Sequence, residues 1–205
     1  MQESDYYYRP SQYKSAEIKI DKSTFIGHCQ QVTTPEDATD FLEKIRKEHY
    51  NANHNCWAYK LGQNGLITRS SDDGEPRNSA GPPIQFVVDK SGLNELMVIV
   101  TRYFGGKKLG VGGLVRAYSE AAQLVLEDIA TEKVVITKGI TVFCGYEDIS
   151  TIKRLLSEYS QSEKEDYADT INIDAQIPIS QVDEFTAKVI DLTQGRAGWR
   201  LTPVD

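Results

Sequence analysis

Between Glu17 and Ile20 apolar and polar residues alternate, Asp21-Lys22-Ser23 interrupts them, and the pattern resumes over residues 24–29. Alternation around a short polar break predicts a β-hairpin. The period then lengthens. Thr34 before Pro35, with Glu36 and Asp37 next, marks a helix start, and Ala38, Phe41, Leu42 and Ile45 give it one apolar face as far as about His49. Residues 53–61 read as a strand that Gly62-Gln63-Asn64-Gly65 turns into another at 66–69. A polar loop over residues 70–83 follows, and Pro82-Pro83 opens a short helix through Ile84, Phe86, Val87 and Val88 that Gly92 ends. Leu96-Met97-Val98-Ile99-Val100 has the length and branching of a buried strand.

That strand feeds the stretch around which the first part of the chain is organised, residues 101–122. Gly105, Gly106, Gly112 and Gly113 frame Lys107-Lys108-Leu109-Gly110-Val111. After them Leu114, Val115, Tyr118, Ala121, Ala122 and Val125 recur at helical spacing to about Asp128. The order is strand, glycine-rich loop, helix. A new strand pattern begins at Lys133 and runs to Cys144, followed by a helix over 146–159, strands over 162–167 and 169–175, a helix over 180–193, and a closing strand at Trp199-Arg200-Leu201. The order βαββαβ is the ferredoxin-like pattern, a fold that implies no function. We therefore expect an α+β protein of two domains, residues 1–132 and 133–205. Tyr6, Tyr7, Tyr8 and Tyr13 crowd a polar start and are expected to pack back onto the first domain.

Composition alters this picture in few places. The chain has 205 residues, 40% hydrophobic and 26% charged, as in an ordinary globular protein. No run approaches the length of a membrane span and the polar, acidic start is unlike a signal peptide, so the cytoplasm is the expected compartment. Cys29, Cys56 and Cys144 are widely spaced within apolar patterns, unlike a disulfide framework or a zinc site. The net charge of −7 is shared by both parts of the chain. Against it, Arg102, Lys107, Lys108 and Arg116 form a basic island with no acidic residue between Arg102 and Arg116. Glycines admit close approach of a ligand, and a helix N-terminus presents unpaired N–H groups, so this island suits an anion. The spacing is neither a Walker loop nor a dinucleotide fingerprint, and a tight strand-to-helix connection with solvated lysines would look the same.

Other candidate chemistry is weighed against plainer roles. Asp72, Asp73 and Glu75 around Gly74 could hold Mg²⁺, or could form an Asp-Gly turn whose carboxylates cap N–H groups or pair with Arg69 and Arg77. The second is expected. His54 and Cys56 fall on the same side of one strand, but a Cys–His nucleophile needs a third, orienting group, and a structural pair is expected. No HExxH or GxSxG motif occurs, and Ser79 and Ser119 have no evident base, so an enzyme is not the expected reading. Arg102 beside Tyr103 and Phe104 suits stacking on bases; equally, Phe104 could fill the core while Arg102 pairs with the acidic loop.

KSTFIGH (residues 22–28), HNCWAYKLG (54–62), SDDGEPRNSAGPPI (71–84) and TRYFGGKKLGVGGLVRAY (101–118) together resemble the bacterial branch of the YigZ/IMPACT family over most of the first domain. The resemblance implies that this domain is similar to domain IV of elongation factor G, with a ribosomal-protein-like βαβ fold, and the second to its domain V. It also implies a link to translation, which eukaryotic relatives regulate by competing for the activator of a starvation-responsive kinase. They do so with an additional N-terminal module, so that partner is not expected here. A dipeptidase label attached to some relatives finds no support in these residues.

The function expected is a non-enzymatic protein that binds RNA or the ribosome and modulates translation, with no cofactor, no metal and no membrane partner. Its contact residues would be Arg102, Tyr103, Phe104, Gly105, Gly106, Lys107, Lys108, Gly110, Gly112, Gly113 and Arg116. A second loop of the same site would supply His54, Asp72, Asp73, Gly74 and Glu75. The alternatives are a small-molecule enzyme or sensor holding a phosphorylated ligand and Mg²⁺ at the two loops, and a protein-interaction adaptor. Oligomeric state is left open.

Overall fold

The structure is a computed structural model that describes residues 5–160, 163–167 and 171–202. The predicted strand starts at Ser162 and Asp169 lie outside the described residues. The chain divides into two compact units, Tyr7–Val134 and a second built from the described residues after 134 together with residues 5 and 6.

The first unit is a five-stranded antiparallel sheet in the order β2-β3-β6-β4-β5. Its strands are β2 (Lys14–Ile20), β3 (Ser23–Gln31), β4 (His54–Leu61), β5 (Ile67–Ser71) and β6 (Leu96–Tyr103). Helices α2 (Gly81–Lys90) and α3 (Gly110–Leu126) cover one face, while α1 (Pro35–Glu48) covers the other. This explains why β6 is apolar without a break. It is the central strand, and Leu96, Val98 and Val100 enter the α2/α3 core while Met97 and Ile99 enter the α1 core. Each such fully buried aliphatic side chain contributes roughly 1.5–3 kcal/mol. α1 begins where predicted: Thr34 accepts from the Asp37 N–H, and the Asp37 carboxylate returns the bond in a capping box. Thr34→Ala would forfeit about 1 kcal/mol.

Two segments differ from the sequence expectation. Residues 6–10 form a strand, β1 (Tyr6–Pro10), which pairs with β7 (Thr131–Val135). Tyr7 is buried while Tyr6 and Tyr8 are exposed, so the three tyrosines alternate as a strand requires, although none of them differs in polarity from its neighbour. The strand predicted from Lys133 to Cys144 is divided at Ile136 into β7 and β8 (Thr137–Cys144).

The second unit comprises β8, α4 (Ile149–Tyr159), β9 (Glu163–Tyr167), β10 (Ile171–Pro178), α5 (Val182–Leu192) and β11 (Gly198–Leu201). Its sheet has the order β11-β8-β10-β9, all neighbours antiparallel, which is the ferredoxin-like arrangement. Ile140, Val142, Ile171 and Ile173 of the sheet pack on Ile152, Leu156, Phe185 and Val189 of the helices. The protein is thus α+β in two units. All three cysteines are buried as free thiols.

On the α1 face of the first sheet His28 is 2% exposed, with Nδ1 2.9 Å from the Tyr13 hydroxyl and its ring 5.0 Å from that of His49. Burial, and then the neighbouring His49, push the His28 imidazole down to about 4. The native state therefore keeps it neutral while the unfolded chain binds a proton below its ordinary value of 6.5. Stability is full above about pH 6.5 and falls by as much as about 3 kcal/mol as pH drops towards 4. Urea unfolding of the first unit, followed by Trp57 fluorescence in a Trp199→Phe background, should show this slope, and His28→Gln should flatten it whatever its own stability. An unchanged slope in His28→Gln would assign the acid sensitivity to other groups.

Candidate functional site

Residues 72–75 fold as a tight turn in which the Glu75 N–H donates to the Asp72 carbonyl at 2.9 Å. Asp73 and Gly74 both have positive φ, as in a type I′ turn, and Asp-Gly suits that turn because glycine carries no Cβ. The Asp72 carboxylate does not face a ligand. It accepts N–H groups from Asn78, Ala80 and Gly81 at 2.8–2.9 Å and so caps α2, whose own N-cap residue Ala80 has no side chain for the task. Asp73 accepts from Arg46 at 2.6 Å and from the Asn55 N–H at 2.7 Å. The plain role expected for these carboxylates therefore describes them, but their partners are Arg46 and Arg102 rather than Arg69 and Arg77.

The turn lifts Glu75 into the protein, where its side chain is 3% exposed. Its Oε1 accepts from Arg102 Nη1 at 2.6 Å and from the Tyr118 hydroxyl at 2.8 Å. Arg102 reaches it from β6, and Tyr118 from α3. His54 is paired with Arg102 across β4 and β6, so the two lie side by side on the face that α2 and α3 cover. The Asp73 carbonyl accepts from His54 Nδ1 at 2.8 Å, which assigns the proton to Nδ1 and leaves Nε2 4.0 Å from Glu75 Oε1. The Arg102 guanidinium lies 5.4 Å from the ring centres of both Phe25 and Phe104. Cys56, next on this face, donates its S–H to the Asp72 carbonyl. Burial pushes the Cys56 thiol and, further still, the Tyr118 phenol well above their ordinary ranges, which makes neither a nucleophile at neutral pH.

The glycine-rich segment is fixed at its start. The Phe104 N–H donates to Asn53 Oδ1 at 2.7 Å and the Gly105 N–H to the Ser23 hydroxyl at 3.2 Å. Gly105 is required here, because a Cβ would come within 1.9 Å of the Lys22 carbonyl oxygen. Lys107 pairs with Asp21 at 2.8 Å, tying the segment to the β2–β3 hairpin. Beyond it Gly106, Lys108, Gly110, Val111 and Gly112 are exposed, Gly113 is half-buried, and Phe104 keeps 44% of its surface in solvent. α3 starts without a side-chain cap and without an acidic residue in its first turn.

Between the turn and the start of α3 lies a cleft of about 440 Å³, lined by His54, Glu75, Arg102, Phe104, Lys108, Gly110 and Val111 together with Asn53, Pro76, Leu109 and Leu114. The two loops named from sequence thus meet at one cleft. Of the sixteen expected residues six line it, and the other ten, among them Tyr103, Asp72 and Arg116, do not. Tyr103 points to the opposite face of the sheet, where its hydroxyl lies 2.9 Å from His49 Nδ1. Asp72 is committed to α2, and Arg116 lies on the exposed side of α3. Arg102 is 6% exposed and so cannot stack on a base as drawn from sequence; its guanidinium belongs to Glu75. Phe104, in contrast, does not fill the core. Sequence reasoning overlooked Tyr118, Arg46 and Asn53. Tyr118 sits in the apolar stripe of α3, and only the need of a buried hydroxyl for a partner could have pointed to it.

Every residue of this arrangement falls within residues 21–126, which match the Impact N-terminal domain family. The chain belongs to the IMPACT family. Residues 142–196 match a second family, described as Domain of unknown function (DUF1949). Among IMPACT family members the chain is similar to YvyE of Bacillus subtilis, at 35% identity over 93% of this chain and 88% of that protein. It is also similar to YigZ of Escherichia coli, at 33% identity over 86% of this chain and 88% of that protein. A solved structure of a hypothetical protein aligns over 98% of both chains with a TM-score of 0.73 and 30% identity. Among the described residues no helix is long and apolar enough to cross a membrane.

The buried pair sets an expectation for this IMPACT family member. Arg102→Met leaves the Glu75 carboxylate buried with Tyr118 as its remaining close donor, and removing one partner of such a pair costs about 3–5 kcal/mol. Adding Glu75→Gln to Arg102→Met should recover a large part of that loss. A double-mutant cycle by urea unfolding measures both, and an Arg102→Met protein as stable as the parent would refute the assignment.

Proposed function

We propose that this chain is a non-enzymatic regulator of translation that contacts RNA or the ribosome through the glycine-rich segment, residues 104–113, with Arg116 beside it. The observation that carries the proposal is the exposed surface at the start of α3. There Phe104, Lys108 and Val111 stand in solvent around an uncapped helix N-terminus, on a chain whose net charge is −7. An exposed aromatic ring among lysines and open backbone N–H groups is suited to a phosphate-bearing strand, since bases stack on rings and phosphates take N–H groups and cations. The acidic balance elsewhere opposes loose wrapping and favours one local contact. Membership of the IMPACT family supports the link to translation, because the resemblance read from its motifs carries that role in eukaryotic relatives.

A phosphorylated small molecule held with Mg²⁺ by Asp72, Asp73 and Glu75 finds less support. Those carboxylates already accept from backbone N–H groups, Arg46, Arg102 and Tyr118.

Co-sedimentation with ribosomes and isolated subunits over a salt series tests the proposal. Binding should weaken steeply with salt, and Lys107→Glu/Lys108→Glu should lower it at least tenfold at low salt. Binding by the variant at parental affinity would move the contact to another surface. Gly112 gives an independent check. A Cβ there would meet nothing within 4 Å, so packing does not require glycine, yet a helical glycine costs about 1 kcal/mol relative to alanine. Gly112→Ala should therefore raise stability by about 0.5–1 kcal/mol while weakening ribosome binding. Equal binding by Gly112→Ala would show that its open backbone is not part of the contact.

A further inference from the structure

We infer that the cleft between the Asp73-Gly74 turn and the start of α3 is a binding site for a phosphate group, held by the first-turn N–H groups of α3, Lys108 and Arg102. This goes beyond contact with the ribosome: it assigns a ligand group and a cavity, and it stands or falls separately from that reading.

Several independent observations converge on it. α3 is 17 residues long and begins with no side-chain cap, so its first N–H groups and the positive end of its dipole are offered to the cleft that Gly110 and Val111 line. Arg102 is more than nine-tenths buried and still lines the cleft. Its Nη1 is held by Glu75, but its Nε is buried with no hydrogen-bond partner. A buried guanidinium N–H without an acceptor is costly, and an oxyanion in the cleft would lower that cost after a small shift of the side chain. Lys108 lines the same cleft, and among the described residues it has no ion-pair partner, whereas its neighbour Lys107 is tied to Asp21. His54, with Nδ1 committed to the Asp73 carbonyl, completes the wall.

Charge balance favours an anion. Glu75 is the one carboxylate in the lining; Arg102 neutralises it and Tyr118 donates a hydrogen bond to it. Asp72 and Asp73 are turned to α2 and Arg46. Lys108 and the α3 N-terminus are left uncompensated. That combination favours an anion over a cation, and the partly apolar walls supplied by Phe104, Leu109 and Leu114 leave room for the group that carries the phosphate.

Two sources could present such a group, an RNA strand or a free phosphate ester, and the test separates them. Full-length protein is titrated with inorganic phosphate, glycerol phosphate and a single-stranded oligouridylate at constant ionic strength set by chloride. Thermal midpoint and isothermal calorimetry are the readouts, and the variants are Val111→Asp, Lys108→Gln and Lys47→Gln. Val111 is 56% exposed in the first turn, so a carboxylate there suits the helix dipole and should leave the ligand-free midpoint equal or higher, while repelling phosphate. The expected result is saturable phosphate binding, weakened at least tenfold by Val111→Asp and by Lys108→Gln and unchanged in Lys47→Gln, whose side chain lies on α1 away from the cleft. Tight oligouridylate binding competed by phosphate would identify the source as RNA; ester binding without oligomer binding would identify a small molecule. Either supports the site. A midpoint shift matched by chloride alone, or phosphate affinity equal in Val111→Asp and the parent, would overturn it. Loss of ribosome binding with phosphate binding intact would strike the proposed function and leave the site standing.

Discussion

The ion pair between Glu75 and Arg102 is the constraint on which the rest of the first unit depends. A carboxylate that is 3% exposed beside a guanidinium that is 7% exposed is tolerated only when each is held by the other and by further hydrogen bonds. Here the carboxylate arrives on the β5–α2 loop, the guanidinium on the central strand, and the second donor, Tyr118, on α3. Three elements distant in sequence are thereby brought to one point. Satisfying that point fixes where the turn at Asp73 sits relative to the start of α3, which in turn sets the width of the cleft between them. The pair adds little net stability for its burial, but it specifies geometry.

Around that point the chain commits its other polar groups in a consistent order. Asp72 is used for α2, Asp73 for Arg46 and the β4 backbone, and Asn53 and Ser23 for the entry to the glycine-rich segment. Gly105 lets that segment lie against the Lys22 backbone, so the start of the loop is packed where it leaves β6. At the mouth of the cleft this leaves the uncapped start of α3 and, beside it, Lys108. A site built on the edge of a rigid sheet and a helix start holds its donors in place before any partner arrives, which lowers the ordering cost of binding.

Much of this was legible in the sequence, and the exceptions have physical causes. The elements with clear periods, α1, α3, α4 and the run that becomes β6, stand close to where their patterns put them, because amphipathic burial dominates their placement. β1 was not foreseen as a strand, since Tyr6-Tyr7-Tyr8 shows no alternation of polarity even though only Tyr7 is buried. The two loops could be named from their glycines and charges. Their convergence could not, because it depends on the register of β4 against β6, which places His54 beside Arg102. The alternation of side chains along β6 separates Arg102 from Tyr103, which sequence proximity alone had joined. Tyr118 was invisible as a polar residue for the reason that it is nearly perfect as an apolar one, with only its hydroxyl out of character.

The difference between Lys107 and Lys108 bears on how a protein of net negative charge would offer the anion contact proposed above. In sequence the two are equivalent. In the fold Lys107 is spent on Asp21, anchoring the loop to the β2–β3 hairpin, and Lys108 turns to the cleft where the helix dipole points the same way. Long-range attraction from the net charge of the whole molecule is absent, so an anion at the proposed site would be held by short-range contacts: N–H groups, one lysine and the Arg102 guanidinium after its small shift. Such a site discriminates by shape and hydrogen-bond direction more than by charge. It follows that a surface with more lysines and no such frame would bind nucleic acid more readily but less selectively, and that, for the proposed contact, the acidic remainder of this chain would serve selectivity by opposing every looser one.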